Sequence, residues 1–535
     1  MLEKLSTLLI FLALPFLSWG QEITIRGNIV SATDSEPVIG ANVLIKGKNV
    51  GTVTDIDGNF SLEAGRTDVL VISYIGFETL EIPIDGQTVL NITMTEDMQL
   101  LDEVVAVGYI TQRKADLTGA VSVVSVEDIL SVAENNPMKA LQGRVPGMTI
   151  SADGNPSGAA TVRVRGISSL NSDQNPLYII DGVPTQGGMH ELNSNDIESI
   201  QVLRDASSAS IYGSRAANGV IIITTKKGQA GRIQLTFDAF LTSTYFNNRM
   251  EVLNAREYGQ ALWQASVNGG GNPNSNNIGY SFDWGYDTNG HPQLNNIYLA
   301  KYVDNDRTML ASDTDWFNEI SKTGLIQSYN MSLSSATEKS SSFLSLGYFY
   351  NDGTLKHTDF NRISARINTD YKLFDGRLVI GENFTLNRTS EVQAPGDVLD
   401  LSLKALPMIP VHTIDGEGWG GPSRGMNDRH NPMRLLYDNR NNAYAYWRLF
   451  GNTYADLEII RDLHFRSSYG IDYGNFYKRH MVHSYRSGFM NSDNTAVNME
   501  QGHWMRWTWS NTATYQKTID RHRFDVLAGV EMNRQ

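Results

Sequence analysis

The sequence predicts a mainly β protein in three parts: an N-terminal β-sandwich, an α+β unit, and an incomplete transmembrane antiparallel β-barrel. About nine strands of that barrel can be placed, where a barrel wide enough to hold a plug needs ~22. Three observations carry this reading. Forty-seven glycines, 23 tyrosines, 19 phenylalanines and 9 tryptophans in 535 residues mark a turn-rich, aromatic-rich chain. Hydrophobic residues are 41% and charged residues 19%, enough apolar surface to bury a core and too little charge for disorder. Beyond residue 231 the chain is dominated by long stretches that alternate apolar and polar residues, the period of a strand.

Composition also excludes. Fifty-eight acids against 44 bases give a net charge of −14, so nucleic acid is not an expected partner, because phosphate neutralisation needs clustered positive charge. The chain has no cysteine, which removes disulfides, thiolate metal sites, cysteine nucleophiles and lipidation through an N-terminal cysteine. Residues 1–20 read as a signal peptide: Lys4, an apolar run from Leu8 to Leu17 broken by Pro15, then Ser18-Trp19-Gly20 before the cut. That run is too short for a spanning helix of ~20 residues, and no later stretch approaches ~18, so any membrane crossing is by strands.

Residues 21–98 alternate and turn repeatedly, as a β-sandwich does. Asp55-Ile56-Asp57-Gly58-Asn59 has the oxygen spacing of a calcium loop, but Arg66 stands where the bidentate glutamate would be, so a hairpin turn is expected. Residues 99–117 form a linker carrying Asp102-Glu103-Val104-Val105-Ala106-Val107-Gly108-Tyr109. Two readings stand here: an ordinary edge strand of the sandwich, or a segment left extended so that a partner can pair with its backbone.

Residues 118–228 form the α+β unit. Asn136 and Pro137 predict a helix start, with Gly143 at its end. Ser194 or Asn195 predicts a second cap. Thr161-Val162-Arg163-Val164-Arg165-Gly166 alternates, so one strand face is cationic and salt bridges to acids are expected on it. Tyr178-Ile179-Ile180-Asp181-Gly182-Val183-Pro184 is a strand entering a tight turn. From Val202 to Lys227, small residues around Tyr212-Gly213-Ser214-Arg215 permit a tight helical turn, and Asn218-Gly219 bends the chain into a β-branched strand. The spacing is not that of a phosphate loop.

Residues 229–535 hold the barrel-type strands, near 233–245, 325–334, 341–350, 362–373, 377–388, 445–460, 463–474, 502–516 and 522–531. Ile363, Ala365, Ile367, Tyr371 and Leu373 share one face, with Ser364, Arg366, Asn368, Asp370 and Lys372 opposite. Short turns at 335–341, 374–377, 461–462 and 517–521 alternate with long loops at 246–324, 389–444 and 474–500, as in outer-membrane barrels. Trp504, Trp507, Trp509 and Tyr515, with Tyr444, Tyr446 and Trp447, suit either an interfacial girdle or a packed aromatic cluster. A nine-strand array ending in a strand at Gln535 is expected to be part of a longer protein. The ten histidines are scattered and no nucleophile–base set or metal spacing emerges, so the expectation is no enzyme, no cofactor and no metal.

These segments, in this order, resemble known families. Residues 27–30, 37–43 and 51–60 are similar to the carboxypeptidase-regulatory-like sandwich, an accessory module that brings no peptidase residues with it. Asp102 to Tyr109 resembles the TonB box of SusC/RagA-type TonB-dependent outer-membrane transporters, with Ala106 where valine is usual. Arg163, Arg165, Gly166, Asp181, Gly182, Arg204, Asp205, Tyr212, Gly213, Arg215, Asn218 and Gly219 fall in segments resembling the plug signature of the same family. The resemblance implies that residues 118–228 are a plug domain inside the barrel. It further implies that TonB, with its ExbB/ExbD energy system, pulls on residues 102–109, and that a SusD-like surface lipoprotein delivers a glycan or peptide. The barrel would contact outer-membrane lipid, with the N-terminal domain periplasmic. A non-transporting surface receptor, adhesin or signalling protein is the alternative, and substrate-binding residues are not identified.

Overall fold

The computed structural model describes residues 22–32, 36–48, 50–74, 77, 79–95, 104–107, 110–113, 121–125, 135–152, 154–166, 174–185, 188–204, 210–231, 233–247, 250–275, 279–519 and 522–534. The signal-peptide reading of residues 1–20 lies outside them. The chain divides into two compact units, residues 1–105 with 111–117, and residues 106–110 with 118–535.

The first unit contains β1 (Glu22–Ser31), β2 (Asn42–Ile45), β3 (Gly51–Val53), β4 (Asn59–Gly65), β5 (Val69–Ser73), β6 (Leu80–Pro83) and β7 (Val89–Met94). They form two sheets, of order β4-β1-β7 and β3-β2-β5-β6. In β2, β4 and β7 every second side chain is buried, and Ile25, Ile29, Val43, Phe60, Leu70, Ile72 and Ile92 from both sheets share one core. Asp55 Oδ1 accepts the amides of Asp57 (3.0 Å) and Asn59 (2.8 Å), and Gly58 takes φ 76°. The segment is a turn built on the carboxylate's own backbone bonds, but it is not the expected hairpin, because β3 and β4, on either side of it, belong to different sheets.

Next come β8 (Val104–Val107) and β9 (Ile110–Arg113), a sheet of two strands. The central segment of the second unit holds β10 (Val121–Ser125), β11 (Met148–Ala152), β12 (Ala160–Val164), β13 (Leu177–Ile180), β14 (Val183–Thr185), β15 (Ile197–Leu203) and β16 (Val220–Thr225). β11 pairs with β12, and the other five form a sheet of order β10-β15-β16-β13-β14. β13 and β16 are buried almost throughout, as the inner strands of a sheet covered on both faces must be.

Two helix expectations need correction. The segment after Asn136 makes only a 3-10 turn, Lys139–Leu141; Asn136 Oδ1 does bond a backbone amide, that of Met138 at 3.0 Å. The cap at 194–195 is Asn193 instead, over a 3-10 turn of three residues (Ser194–Asp196), because Ile197–Leu203 is taken up as a strand between β10 and β16. Pairing on both edges outweighs the local helix signal.

β17 (Gln234–Thr244) is followed by a loop containing α1 (Ala255–Asn268), β18 (Tyr280–Tyr286), β19 (Pro292–Leu299) and α2 (Trp316–Ile320). Then come β20 (Gly324–Ala336), β21 (Ser340–Asp352), β22 (Asp359–Leu373) and β23 (Leu378–Val392), and a second loop with α3 (Val398–Lys404) and α4 (Pro432–Asn439). The remainder is β24 (Ala443–Ile460), β25 (Leu463–Val482), β26 (Tyr485–Ser487), β27 (Met490–Ser492), β28 (Ala496–Ile519) and β29 (His522–Arg534). β17, β20–β25, β28 and β29 form one antiparallel sheet of nine strands in chain order, joined by short turns at one end.

That sheet is inverted relative to a soluble one. On β22 the apolar Ile363 is 48% exposed and Tyr371 51%, whereas Arg362, Ser364, Arg366 and Asn368 are all buried. Ile233, Leu235, Phe237 and Leu241 are each about two-thirds exposed. An apolar outer face with a polar inner face demands an apolar solvent outside. Among the described residues no helix is long and apolar enough to cross a membrane.

Two further expectations change. The long loop at 474–500 is mostly strand, since β25 runs to Val482 and β28 starts at Ala496. Of the girdle candidates, Trp507, Trp509, Tyr515 and Trp447 alternate onto the exposed face, but Tyr446 is buried and packs its ring against Trp504, with Tyr444 beside it. The other two loops fold on themselves: Trp263, Tyr280, Phe282, Met309, Trp316 and Met408 form a core of their own, and α1 opens with a capping box between Asn254 and Glu257.

Candidate functional site

Two features carry the chemistry. The first is the ribbon Val104–Val107, which is neither a strand of the two N-terminal sheets nor a single extended segment. It pairs with Ile110–Arg113 in a sheet of two strands. That pairing satisfies backbone polar groups along one edge of the ribbon. Asp102, Glu103, Gly108 and Tyr109 lie outside the described residues.

The second is the seam between the central sheet and the polar face of the large sheet. Asp181 and Gly182 join β13 to β14 with φ 48° and 87°, both positive, as a two-residue hairpin turn requires. The turn presents the Asp181 carboxylate, which accepts the Thr225 amide (3.0 Å) and hydroxyl (2.7 Å) and a bond from the Arg366 guanidinium. Asn368 donates to Thr225 Oγ1 (2.9 Å) and to the Lys226 carbonyl (2.6 Å).

Residues 189–196 are fastened to four strands. Asn193 Nδ2 donates to Asn330 on β20 (2.8 Å), and Ser345 on β21 donates to Asp196 Oδ1 (2.6 Å). Arg362 on β22 donates to the carbonyls of His190 (2.7 Å) and Leu192 (3.0 Å). Arg448 on β24 reaches Glu191 Oε2 (2.8 Å), Thr185 Oγ1 (2.6 Å) and both oxygens of Asp472 on β25 (2.7 and 2.8 Å). Burial pushes the Asp196 carboxyl above its usual range, against the opposing pull of Arg366, the Ser345 hydroxyl and Arg362. At the far edge Arg215 donates to Glu531 on β29 (2.6 Å). Buried ion pairs of this kind hold position more than they add stability, because desolvation cancels much of their attraction.

The sequence-predicted residues divide. Asp181 and Arg215 reach the seam. Arg204 bonds the Pro146 carbonyl (2.7 Å) and Asn218 the Asn175 carbonyl (3.3 Å), both within the central segment. Tyr212 is buried in the small core under β13 and β16. Gly213 (φ 65°) interrupts the helical turn Ser210–Ala216, and Gly219 (φ 87°) sits tightly packed, since a Cβ there would meet Val164 at 3.1 Å and Val164 would have to give way. Arg165 (φ 60°) and Gly166 (φ 95°) form the turn after β12. The salt bridges expected of Arg163 and Arg165 are not formed among the described residues, and the buried Arg163 Nε has no hydrogen-bond partner there. Asp205 lies outside the described residues. Sequence reasoning missed Glu191, Asp196, Arg362, Arg448 and the role of Asp472; the available signal was an ionisable residue on the polar side of a membrane-type strand.

The comparisons agree with this geometry. Residues 113–220 match the TonB-dependent receptor plug domain and residues 25–106 the CarboxypepD_reg-like domain. The TonB-dependent receptor SusC of Bacteroides thetaiotaomicron is 30% identical over 98% of this chain and 52% of its own length. The TonB-dependent receptor P26 of Formosa agariphila is 32% identical over 96% of this chain and 49% of its own. Among solved structures, the RagAB peptide importer in its open-open state aligns over 80% of this chain and 48% of that one, with a TM-score of 0.62 at 25% identity. The chain therefore spans about half the length of the relatives it matches. Those relatives are outer-membrane receptors, not enzymes. The chain therefore carries a TonB-dependent receptor plug domain and a CarboxypepD_reg-like domain, and along nearly its whole length it is similar to half of the SusC-type TonB-dependent receptors.

Proposed function

We propose that the chain works as the energy-coupled part of an outer-membrane importer of oligosaccharides or peptides. In this reading residues 1–20 direct export and residues 21–98 form a periplasmic β-sandwich. Residues 102–109 are the TonB box, and residues 118–228 are the plug. The nine strands after residue 229 form one arc of a barrel of ~22. The observation that carries it is the seam: a buried sheet buttoned by Asp181, Glu191 and Asp196 to arginines and polar groups on the inner face of a sheet whose outer face is apolar. Polar fastening can be undone and remade in water, unlike an apolar core, and suits a stopper that must shift under load.

TonB, powered by ExbB/ExbD, would pair with the free edge of the ribbon, and a SusD-like lipoprotein would present the nutrient. The printed name of the RagAB peptide importer supports the peptide part of that range. Deleting residues 102–109 should abolish energised uptake while surface binding persists. Uptake that continues unchanged after the deletion refutes the reading.

A further inference from the structure

The outer face of the nine-stranded sheet carries the exposed Arg388 on β23. Its register partners are Ile363 on β22 and Trp447 on β24, both about half exposed. Register partners point to the same side, so the guanidinium leaves the sheet on its apolar face. Two residues toward the short turn, the same face presents the exposed Leu386. The guanidinium carbon lies 5.8 Å from the centre of the Trp447 ring, and among the described residues no salt bridge neutralises Arg388. A ring face attracts a cation without cancelling its charge.

Depth follows from the strand lengths. A tilted strand crosses the hydrocarbon in ~9–11 residues. Counted from the short turns, Arg388 is the eleventh residue of β23, which begins at Leu378. By the same count the eleventh residues of β21, β25 and β28 are Tyr350, Tyr473 and Trp509. Aromatic side chains gathered at one depth mark the boundary between hydrocarbon and headgroups. Arg388 therefore stands in that belt, where a charge costs little, and not at mid-membrane, where it costs most. Just beyond the belt the same face turns polar without turning charged. Asn361 and Ser390 are register partners one step nearer the loops, and Asn475 is the register partner of Trp447. Ser390 is ~7 Å along the strand from Arg388 and Asn475 is two strands across, ~10 Å.

We propose that Arg388, backed by Trp447, binds the phosphate of a phosphorylated glycolipid in the leaflet at the loop end, while Asn361, Ser390 and Asn475 hydrogen-bond the hydroxyls of its sugar headgroup. Phosphate is the anion that a lipid brings to this depth, and the planar guanidinium grips it through two parallel N–H bonds. Uncharged amides and a hydroxyl suit sugar hydroxyls, since each can both donate and accept. Long loops face outward in barrels of this kind, so the leaflet is the external one. The site lies on the opposite side of the sheet from the seam. It needs only that this sheet be a barrel wall, and it is independent of what the protein imports.

The test is native mass spectrometry of the full chain in detergent, titrated with lipid A, dephosphorylated lipid A or phosphatidylglycerol. Lipid A should bind about tenfold or more tightly than its dephosphorylated form, the usual effect of one charge-assisted hydrogen bond. Arg388→Gln should erase that difference and Arg388→Lys should keep part of it, since an ammonium still attracts phosphate but cannot grip it in two places. Asn475→Ala should weaken both lipid A forms alike. Phosphatidylglycerol, a phosphate with no sugar, should bind less tightly than lipid A, and inorganic phosphate should not displace lipid A. The proposal is overturned if phosphate removal leaves lipid A binding unchanged, or if the preference survives Arg388→Gln. It is also overturned if phosphatidylglycerol binds as tightly as lipid A, or if inorganic phosphate competes, which would mark a water-facing anion site. The two lipid A forms on the unaltered chain decide the matter even where a variant folds poorly.

Discussion

Replacing Arg448 by methionine should loosen the central segment from the large sheet far more than any surface change. The guanidinium makes four hydrogen bonds, to Glu191, Thr185 and twice to Asp472. Both acids are buried, with side chains 9% and 2% exposed. Methionine fills similar space but strips both buried carboxylates of their hydrogen-bonded cation, leaving Asp472 only the partly exposed Arg506 at 4.0 Å. Breaking a buried pair from one side costs about 3–5 kcal/mol, whereas the exposed Lys46–Glu81 pair should be worth at most ~1 kcal/mol. The assay is amide exchange in detergent micelles, followed across residues 189–203. At ~1.4 kcal/mol per factor of ten, protection there should fall by roughly two to four powers of ten, with β20–β23 amides unchanged. The triple variant Arg448→Met, Glu191→Gln, Asp472→Asn should recover most of the loss, because it removes the stranded charges. A loss of under ~1 kcal/mol for the single variant, or no recovery in the triple, would refute the claim that this ionic cluster holds the segment.

Gly219→Ala should destabilise more than Gly143→Ala in thermal unfolding, since both have positive φ but only Gly219 has a neighbour, Val164, within 3.1 Å of the added carbon. Ile363→Lys, on the exposed apolar face, should cut membrane insertion by an amount equivalent to ~2–4 kcal/mol near mid-bilayer, measured as folded yield in lipid vesicles. In the first unit the Lys48 ammonium, helped by the Gly65 amide, holds the Asp68 carboxyl below its usual range. A depressed folded pKa contributes stability above the unfolded value of about 4 that is lost as pH falls through the folded one. Acidification from pH 5 should therefore weaken exchange protection in β4 and β5, and Asp68→Asn should flatten that dependence.

How much of this was legible in the sequence varied with the range of the interaction. The period-two alternation of a lipid-facing strand repeats over many residues, so 362–373 was readable against an observed Asp359–Leu373. Asp181-Gly182 was readable as a turn because two consecutive positive φ values admit few other residues. The helix starts at 136 and 194 were misjudged because capping residues report only local preference, and strand pairing of Ile197–Leu203 on both edges overrode it. Arg448 and Glu191 stand 257 positions apart; nothing local marks them as partners. The helix at Ala255–Asn268 had a readable capping box in Asn254 and Glu257, passed over inside a stretch taken as loop.

In the proposed importer, force enters through the ribbon ahead of residues 118–228. These 535 residues hold no cysteine, so Ala106→Cys introduces a single thiol into this stretch. Oxidative cross-linking of this variant, in cells, to a TonB carrying one cysteine in its periplasmic segment tests the claim most directly. The account predicts an adduct at position 106 that grows when the imported nutrient is supplied and is absent for Ser61→Cys in the N-terminal unit. Import that proceeds while position 106 yields no adduct, or adducts that form equally at 61 and 106, would contradict it.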